Sequence, residues 1–429
     1  MLAYLKRIKV YPLFFQLLTL TCFGWLLYAL GDSSSFSSIN WGMIVFWHIW
    51  WPFVPLLILL FGSFWCSICP LSAIAVAINR ILPCRFFPAN WINRNGLTIA
   101  LVLYLVIVGL DAIFVLEYNA GYTRIFISGL FGLMLLLVLL FGYKAFCLAA
   151  CPVGLFTRVY HRFSLAGLES NEHLCGKCKR QTWDRAKPLF GKKSGEVIPE
   201  PRDWRYRVEC LKRCPSHATR MVFHLPPKEN GVEDCNSIVD AFAPSFLLTT
   251  LGVSILIKSN YATGLYRRLL PVIELSYPIF IALLILALII FFAMINGGLF
   301  FMFRKTIRKN PGLFLFKMRS LVPLLILFHI ALVLDEFRGL IPVGYEFPAL
   351  SFLQTAMPES NVVLISAYLL TGLGIVLALI YSFFGMKTKK SPESAVDFNL
   401  SLTIVFLIVL GGYAIFSLKL LQIMQTSAC

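Results

Sequence analysis

Apolar stretches close to twenty residues long recur along most of this chain, separated by short polar or basic segments. Such runs predict membrane-spanning helices, because about 20 residues rising about 1.5 Å each cross a hydrocarbon core about 30 Å thick. Nine spans are predicted, over residues 12–31, 41–62, 97–117, 125–146, 237–257, 269–293, 320–336, 362–385 and 400–422. The fold class that follows is an all-α polytopic membrane protein. The N-terminal stretch MLAYLKRIKVYPLFFQLLTLTCFGWLLYAL is basic, then apolar, and lacks a small-residue cleavage site, so it is read as a retained first span. One sizeable segment, residues 165–236, breaks the pattern and is polar. Three parts are expected: a four-span domain over 1–164, a cytoplasmic segment over 165–236, and a five-span domain over 237–429.

Composition sharpens this picture. Of 429 residues, 59% are hydrophobic and 14% charged, against roughly 25% charged in soluble domains. A net charge of +17 would suit nucleic acid, but its distribution points to membrane lipid instead. With the N-terminus inside, six of the 38 Lys and Arg fall on outer segments (Arg124, Lys258, Arg267, Arg268, Arg338 and Lys419) and the other 32 on inner ones. Seventeen lie between Lys144 and Lys228. This asymmetry predicts N-in, C-out, although Lys258, Arg267 and Arg268 run against it locally. The basic segment also suits a docking surface for an acidic redox partner.

The chemistry is carried by cysteine. Eight of the twelve cysteines fall in four pairs: Cys66 and Cys69 before Pro70, Cys147 and Cys151 before Pro152, Cys175 and Cys178, and Cys210 and Cys214 before Pro215. All four pairs lie at or beyond the inner face in this topology, on the reducing side, which disfavours a disulfide framework. Thiolate ligation of a metal is the better reading. Zinc and iron–sulfur clusters compete for such spacing, and cysteine followed by proline favours iron–sulfur. Cys84 and Cys235 are spare ligand candidates, whereas Cys22 reads as an intramembrane hydrophobe and Cys429 as a bystander.

The first two pairs belong to an internal repeat. Phe61-Gly62 and Phe141-Gly142 precede them, and Arg80 and Arg162 each follow ten residues after the proline. Each copy is a helical hairpin that delivers cysteines at the same face. A pseudo-two-fold axis along the membrane normal would therefore bring Cys66, Cys69, Cys147 and Cys151 together. The segments LSAIAVAINRIL and VGLFTRVYHRFS read as surface-lying helices with a basic side.

Two membrane-edge cysteine motifs followed by a cysteine-rich soluble segment resemble the polyferredoxin-type membrane proteins of the NapH and NosR families. The resemblance covers about Phe61 to Pro215. It implies a bacterial inner-membrane, multi-pass protein with a small cytoplasmic ferredoxin-like insert. It also implies two [4Fe-4S] clusters. The repeat groups Cys66, Cys69, Cys147 and Cys151 for one and leaves Cys175, Cys178, Cys210 and Cys214 for the other, with a swap of the cysteine before proline between the two open as the alternative. Electrons would pass between a quinone-level or cytoplasmic partner and a membrane or extracytoplasmic acceptor. Two features depart from the pattern: position 181 is Gln where a ferredoxin run has cysteine, and Cys66 and Cys69 are separated by two residues rather than three.

Of six histidines, His48 and His329 lie inside predicted spans, each about seven residues from the outer end. Equal depth on separate helices suits a bis-histidine haem b; a quinone contact or helix packing is the alternative. Asp111, Glu274, Asp335 and Glu336 are carboxylates in or at the edge of spans. Two other functions remain open: a redox-linked maturation or regulatory protein for a metalloenzyme, and a transporter with structural zinc.

Overall fold

The described residues of the chain are almost wholly helical. The computed structural model describes residues 13–31, 40–62, 66, 68–82, 89–160, 163–170, 219–223, 238–258, 264–268, 276–302, 304, 314, 318–338 and 360–384. These contain α1 (Leu13–Ala29), α2 (Trp41–Phe61), α3 (Pro70–Ile81), α4 (Ala89–Phe114), α5 (Ala120–Phe141), α6 (Tyr143–Ala149) and α7 (Pro152–Tyr160). Then come strands β1 (Ala166–Ser170) and β2 (Thr219–Phe223), and helices α8 (Ile238–Lys258), α9 (Tyr277–Met302), α10 (Val322–Arg338) and α11 (Ser360–Phe384). Helices occupy eight of the nine predicted spans; the ninth, 400–422, lies outside the described residues. The sixth starts at Tyr277 rather than 269, with the Phe280 amide donating to the Ser276 carbonyl and Pro278 in the first turn, where no helical amide is lost.

Among the described residues, five helical stretches are long and apolar enough to cross a membrane: Trp41–Phe61, Asn95–Phe114, Ala120–Phe141, Val239–Ile257 and Tyr277–Gly298. On α5 and α9 much of this apolar surface faces outward, including Ile125, Leu136, Leu283, Phe291 and Met294. Soluble proteins rarely expose such continuous apolar faces, and a lipid surround removes the penalty. The architecture is thus compatible with an all-helical membrane protein.

Two departures were not foreseen. The middle of α2, Ile44–Trp50, is π-helical. Pro52 and Pro55 follow it, each lacking an amide donor, and widened turns are one way a helix absorbs such losses. The second departure is an antiparallel ladder of β1 and β2, running from Ala166↔Phe223 to Ser170↔Thr219. It brings residue 170 and residue 219 side by side.

The chain divides into two compact units. The first comprises Met1–Phe46, Val54–Leu103 and Ala120–Lys228. Within it α1 packs on α3, and α3 packs on both α5 and α6. Its core includes Ala75 of α3, Met134 and Val138 of α5, Phe146 of α6, and Ala150. The second comprises Trp47–Phe53, Tyr104–Asn119 and Glu229–Cys429. There α8 packs on α9 and α10, and α10 on α11. A Cβ on Gly374 of α11 would stand 3.0 Å from the Leu324 Cα of α10, so glycine lets these two backbones approach closely. In α8 and α9, buried Ser245 donates to Asn296 Oδ1 at 3.1 Å, a polar pair inside an otherwise apolar interface.

Candidate cysteine site

Each repeat copy begins by stopping its long helix at Phe-Gly. Gly62 has φ 59° and Gly142 φ 85°, conformations costly for any residue with a Cβ. In both copies a new helix starts at the proline after the second cysteine. Cys69 is extended (φ −61°, ψ 127°) and caps α3, with Pro70 in the first helical position. The Cys69 carbonyl accepts from Ala73 N–H at 3.0 Å, and the Cys151 carbonyl accepts from Leu155 N–H at 3.0 Å. Both Cys-Pro steps therefore perform one local task. Proline suits the first turn because its missing N–H has no partner to lose there and its φ is already helical.

The two copies meet. Cys147 and Cys151 pack against the apolar cluster to which α3 contributes Ala75. Cys66 Sγ of the first copy lies 3.9 Å from Thr157 Oγ1 on α7 of the second. Burial is the largest cause pushing the Cys151 thiol up from its ordinary value. The charge of Cys69 acts in the same direction, and that of Cys66 more weakly. Amide hydrogen bonds from Gly154 and Val153 oppose them. The repeat has thus placed Cys66, Cys69 and Cys151 within electrostatic reach of one another.

Surrounding groups fix this neighbourhood. Gly154 N–H donates to Cys151 Sγ at 3.3 Å. A Cβ at Gly154 would stand 2.5 Å from the Cys147 carbonyl oxygen, so only glycine lets α7 start so close to α6. Arg158 donates to the Leu148 carbonyl at 3.5 Å, drawing α7 back onto α6. Thr19 of α1 donates to the Ile68 carbonyl at 2.6 Å, between the two cysteines of the first copy.

As a donor set, four thiols on two Cys-Pro turns suit iron–sulfur ligation. A metal bound to such thiols would displace their protons to solvent and balance the thiolate charge with its own. Among the described residues, no three His, Cys, Asp or Glu side chains converge as ligands of a single ion do. Thiolates on one zinc stand about 4 Å apart, from Zn–S bonds of about 2.3 Å. A four-iron cube spreads its thiolates wider, to about 7 Å. By donor type alone, cysteine thiols suit either kind of centre.

The remaining candidates fall as follows. Cys175, Cys178, Cys210, Cys214, Cys84 and Cys235 lie outside the described residues, as does Glu274. His48 sits half-buried in the π-helical stretch, and His329 is buried in α10. Asp111 is buried on α4. Asp335 and Glu336 belong to the last turn of α10, and their side chains lie outside the described residues. The helix after the second motif packs much of its length inside the protein: Leu155, Phe156, Val159 and Tyr160 are all buried. Two groups that sequence reasoning missed, Thr157 and Gly154, both sit on that buried helix and touch cysteine.

Compared with known protein families, with characterised proteins and with solved structures, the chain matches none. What the fold itself defines is a helical chain with five stretches suited to cross a membrane and a two-copy cysteine neighbourhood in one of its units.

Proposed function

We propose that the protein is a membrane-bound iron–sulfur electron-transfer protein of the bacterial inner membrane, multi-pass, with two [4Fe-4S] clusters at its cytoplasmic face. One observation carries the reading: two copies of a Cys-Pro turn, about eighty residues apart, are packed so that Cys66 touches α7 and Cys69 acts on Cys151. Disulfide or packing roles give no reason to build that turn twice and bring the copies together. The likeness of the motifs to the NapH and NosR families supports the same reading.

Cys66, Cys69, Cys147 and Cys151 hold one cluster. Cys175, Cys178, Cys210 and Cys214 hold the other. The β1–β2 ladder supports the second set, because Cys175 follows the paired Ser170 by five residues and Cys214 precedes the paired Thr219 by five. Bound there, such centres supply one-electron chemistry. The chain's own part is to hold thiolates at two helix starts, to aim the Gly154 amide at one sulfur, and to keep water out with Ala75, Phe146 and Ala150. The basic inner segment receives an acidic redox partner; donor and acceptor are a quinone-level or cytoplasmic protein and a membrane or extracytoplasmic one.

The test is anaerobic purification of the full chain with metal and sulfide analysis and EPR. The reading expects brown protein with about eight iron and about eight sulfide per chain. Colourless protein carrying one or two zinc ions sinks it and favours a transporter with structural zinc.

A further inference from the structure

The contact between Cys66 and Thr157 has a direction that depends on what Cys66 is doing. Thr157 Oγ1 donates its one proton to the Val153 carbonyl at 2.8 Å. With its proton spent there, the hydroxyl meets Cys66 Sγ at 3.9 Å as an acceptor, and the thiol supplies the hydrogen. A metal-ligating sulfur has no hydrogen to give. The contact then survives only if the hydroxyl turns its proton from Val153 to sulfur. The turn costs little, because a helical carbonyl at that position still receives the backbone N–H four residues on. Thr157 is buried at 7% exposure, so water is a poor substitute donor.

We propose that Thr157 is a positioning residue that donates a hydrogen bond to the Cys66 sulfur of the loaded site and thereby sets the reduction potential of that cluster. The inference rests on the function proposed above. Hydrogen bonds to cluster sulfurs are among the determinants of potential. A donor stabilises the more negative, reduced state, so it raises the potential. The contact also joins a side chain of the second copy to a cysteine of the first.

The experiment is an equilibrium redox titration, followed by EPR, of the full-length protein and of T157V and T157S, each with iron and sulfide analysis. Valine keeps the shape and removes the hydroxyl; serine keeps the hydroxyl. T157V should titrate at a more negative potential in one of its two clusters. The expected shift is roughly tenfold in the oxidised-to-reduced ratio at fixed poise, about 59 mV for one electron. T157S should titrate as the unsubstituted protein. An unshifted T157V with full iron overturns the inference. If T157V loses iron, T157S decides: retained iron at an unchanged potential supports the hydroxyl's role, and loss in both variants overturns it in favour of a site that tolerates no change at 157. An unsubstituted protein without iron and sulfide overturns the parent reading instead, so the two failures are distinct.

Discussion

The two copies of the cysteine motif begin their helices alike and present their sulfurs differently. Cys69 and Cys151 each precede a proline, and each gives its carbonyl to the amide four residues on. Yet Cys151 Sγ accepts the Gly154 amide, while the Cys69 side chain makes no cap hydrogen bond. The residue two beyond proline explains the contrast: glycine at 154 permits close approach to the Cys147 carbonyl, whereas Ser72 stands at the matching place in the first copy. The second copy reaches its second cysteine through a seven-residue helix, α6. The first is steadied from outside, by the Thr19 hydroxyl on the Ile68 carbonyl. A repeat thus conserves the helix start that sets where a sulfur emerges, while each copy finds its own means of aiming it.

Substitutions can break this comparison in graded ways. Gly154→Ala should hurt most. Alanine ordinarily favours a helix over glycine by about 1 kcal/mol. Here the new Cβ would lie 2.5 Å from backbone oxygen that cannot swing aside, so overpacking of about 3 kcal/mol wins. Thermal unfolding in detergent should fall clearly; an unchanged midpoint would mean α7 can start elsewhere. Next come the two Phe-Gly stops. Gly142 has φ 85° and ψ 165°, a region almost reserved for glycine, so Gly142→Ala should cost about 2 kcal/mol. Gly62 also has a positive φ, 59°, where alanine costs about 1 kcal/mol. Equal losses at both positions would deny the difference.

A pH series sharpens the electrostatic side. In cluster-free protein the Cys151 thiol is held above its ordinary value of 9.0 by burial, then by Cys69. Between that value and the raised one the folded state keeps a proton that the unfolded state has released. Stability is therefore fully present below about pH 9 and falls as pH rises, by at most about 1.4 kcal/mol per pH unit for one proton. Cys151→Ser should remove that slope, and a slope that persists belongs to another group. The smallest effect is expected from Thr19→Val, which deletes one hydrogen bond to the first copy's turn, worth about 1 kcal/mol. It should leave the second copy untouched.

Much of this architecture was legible in the chain because membrane spans announce themselves by length and apolarity. Helices from Leu13–Ala29 to Ser360–Phe384 fall where apolar runs occur. The Cys-Pro turn was equally plain, since proline at a helix start has a local cause. Contacts across long separations were not. Thr157 reaches Cys66 over 91 residues, and nothing in TRVYHR marks one hydroxyl among many. The burial of α7 was hidden because Arg158 gives it a basic look, while Phe156 and Tyr160 turn inward. The β1–β2 ladder is five residues a side and includes Gly167, too short for alternation to signal it.

The central claim is that both copies build one centre, and the iron content of C69S, C151S and the double variant tests it most directly. Each single variant should lose about four of about eight irons per chain, with the corresponding sulfide. The double variant should lose no more than either single, because both remove the same cluster and effects within one unit do not add. A double variant that loses a second set of about four irons would assign the two copies to different centres and contradict the account.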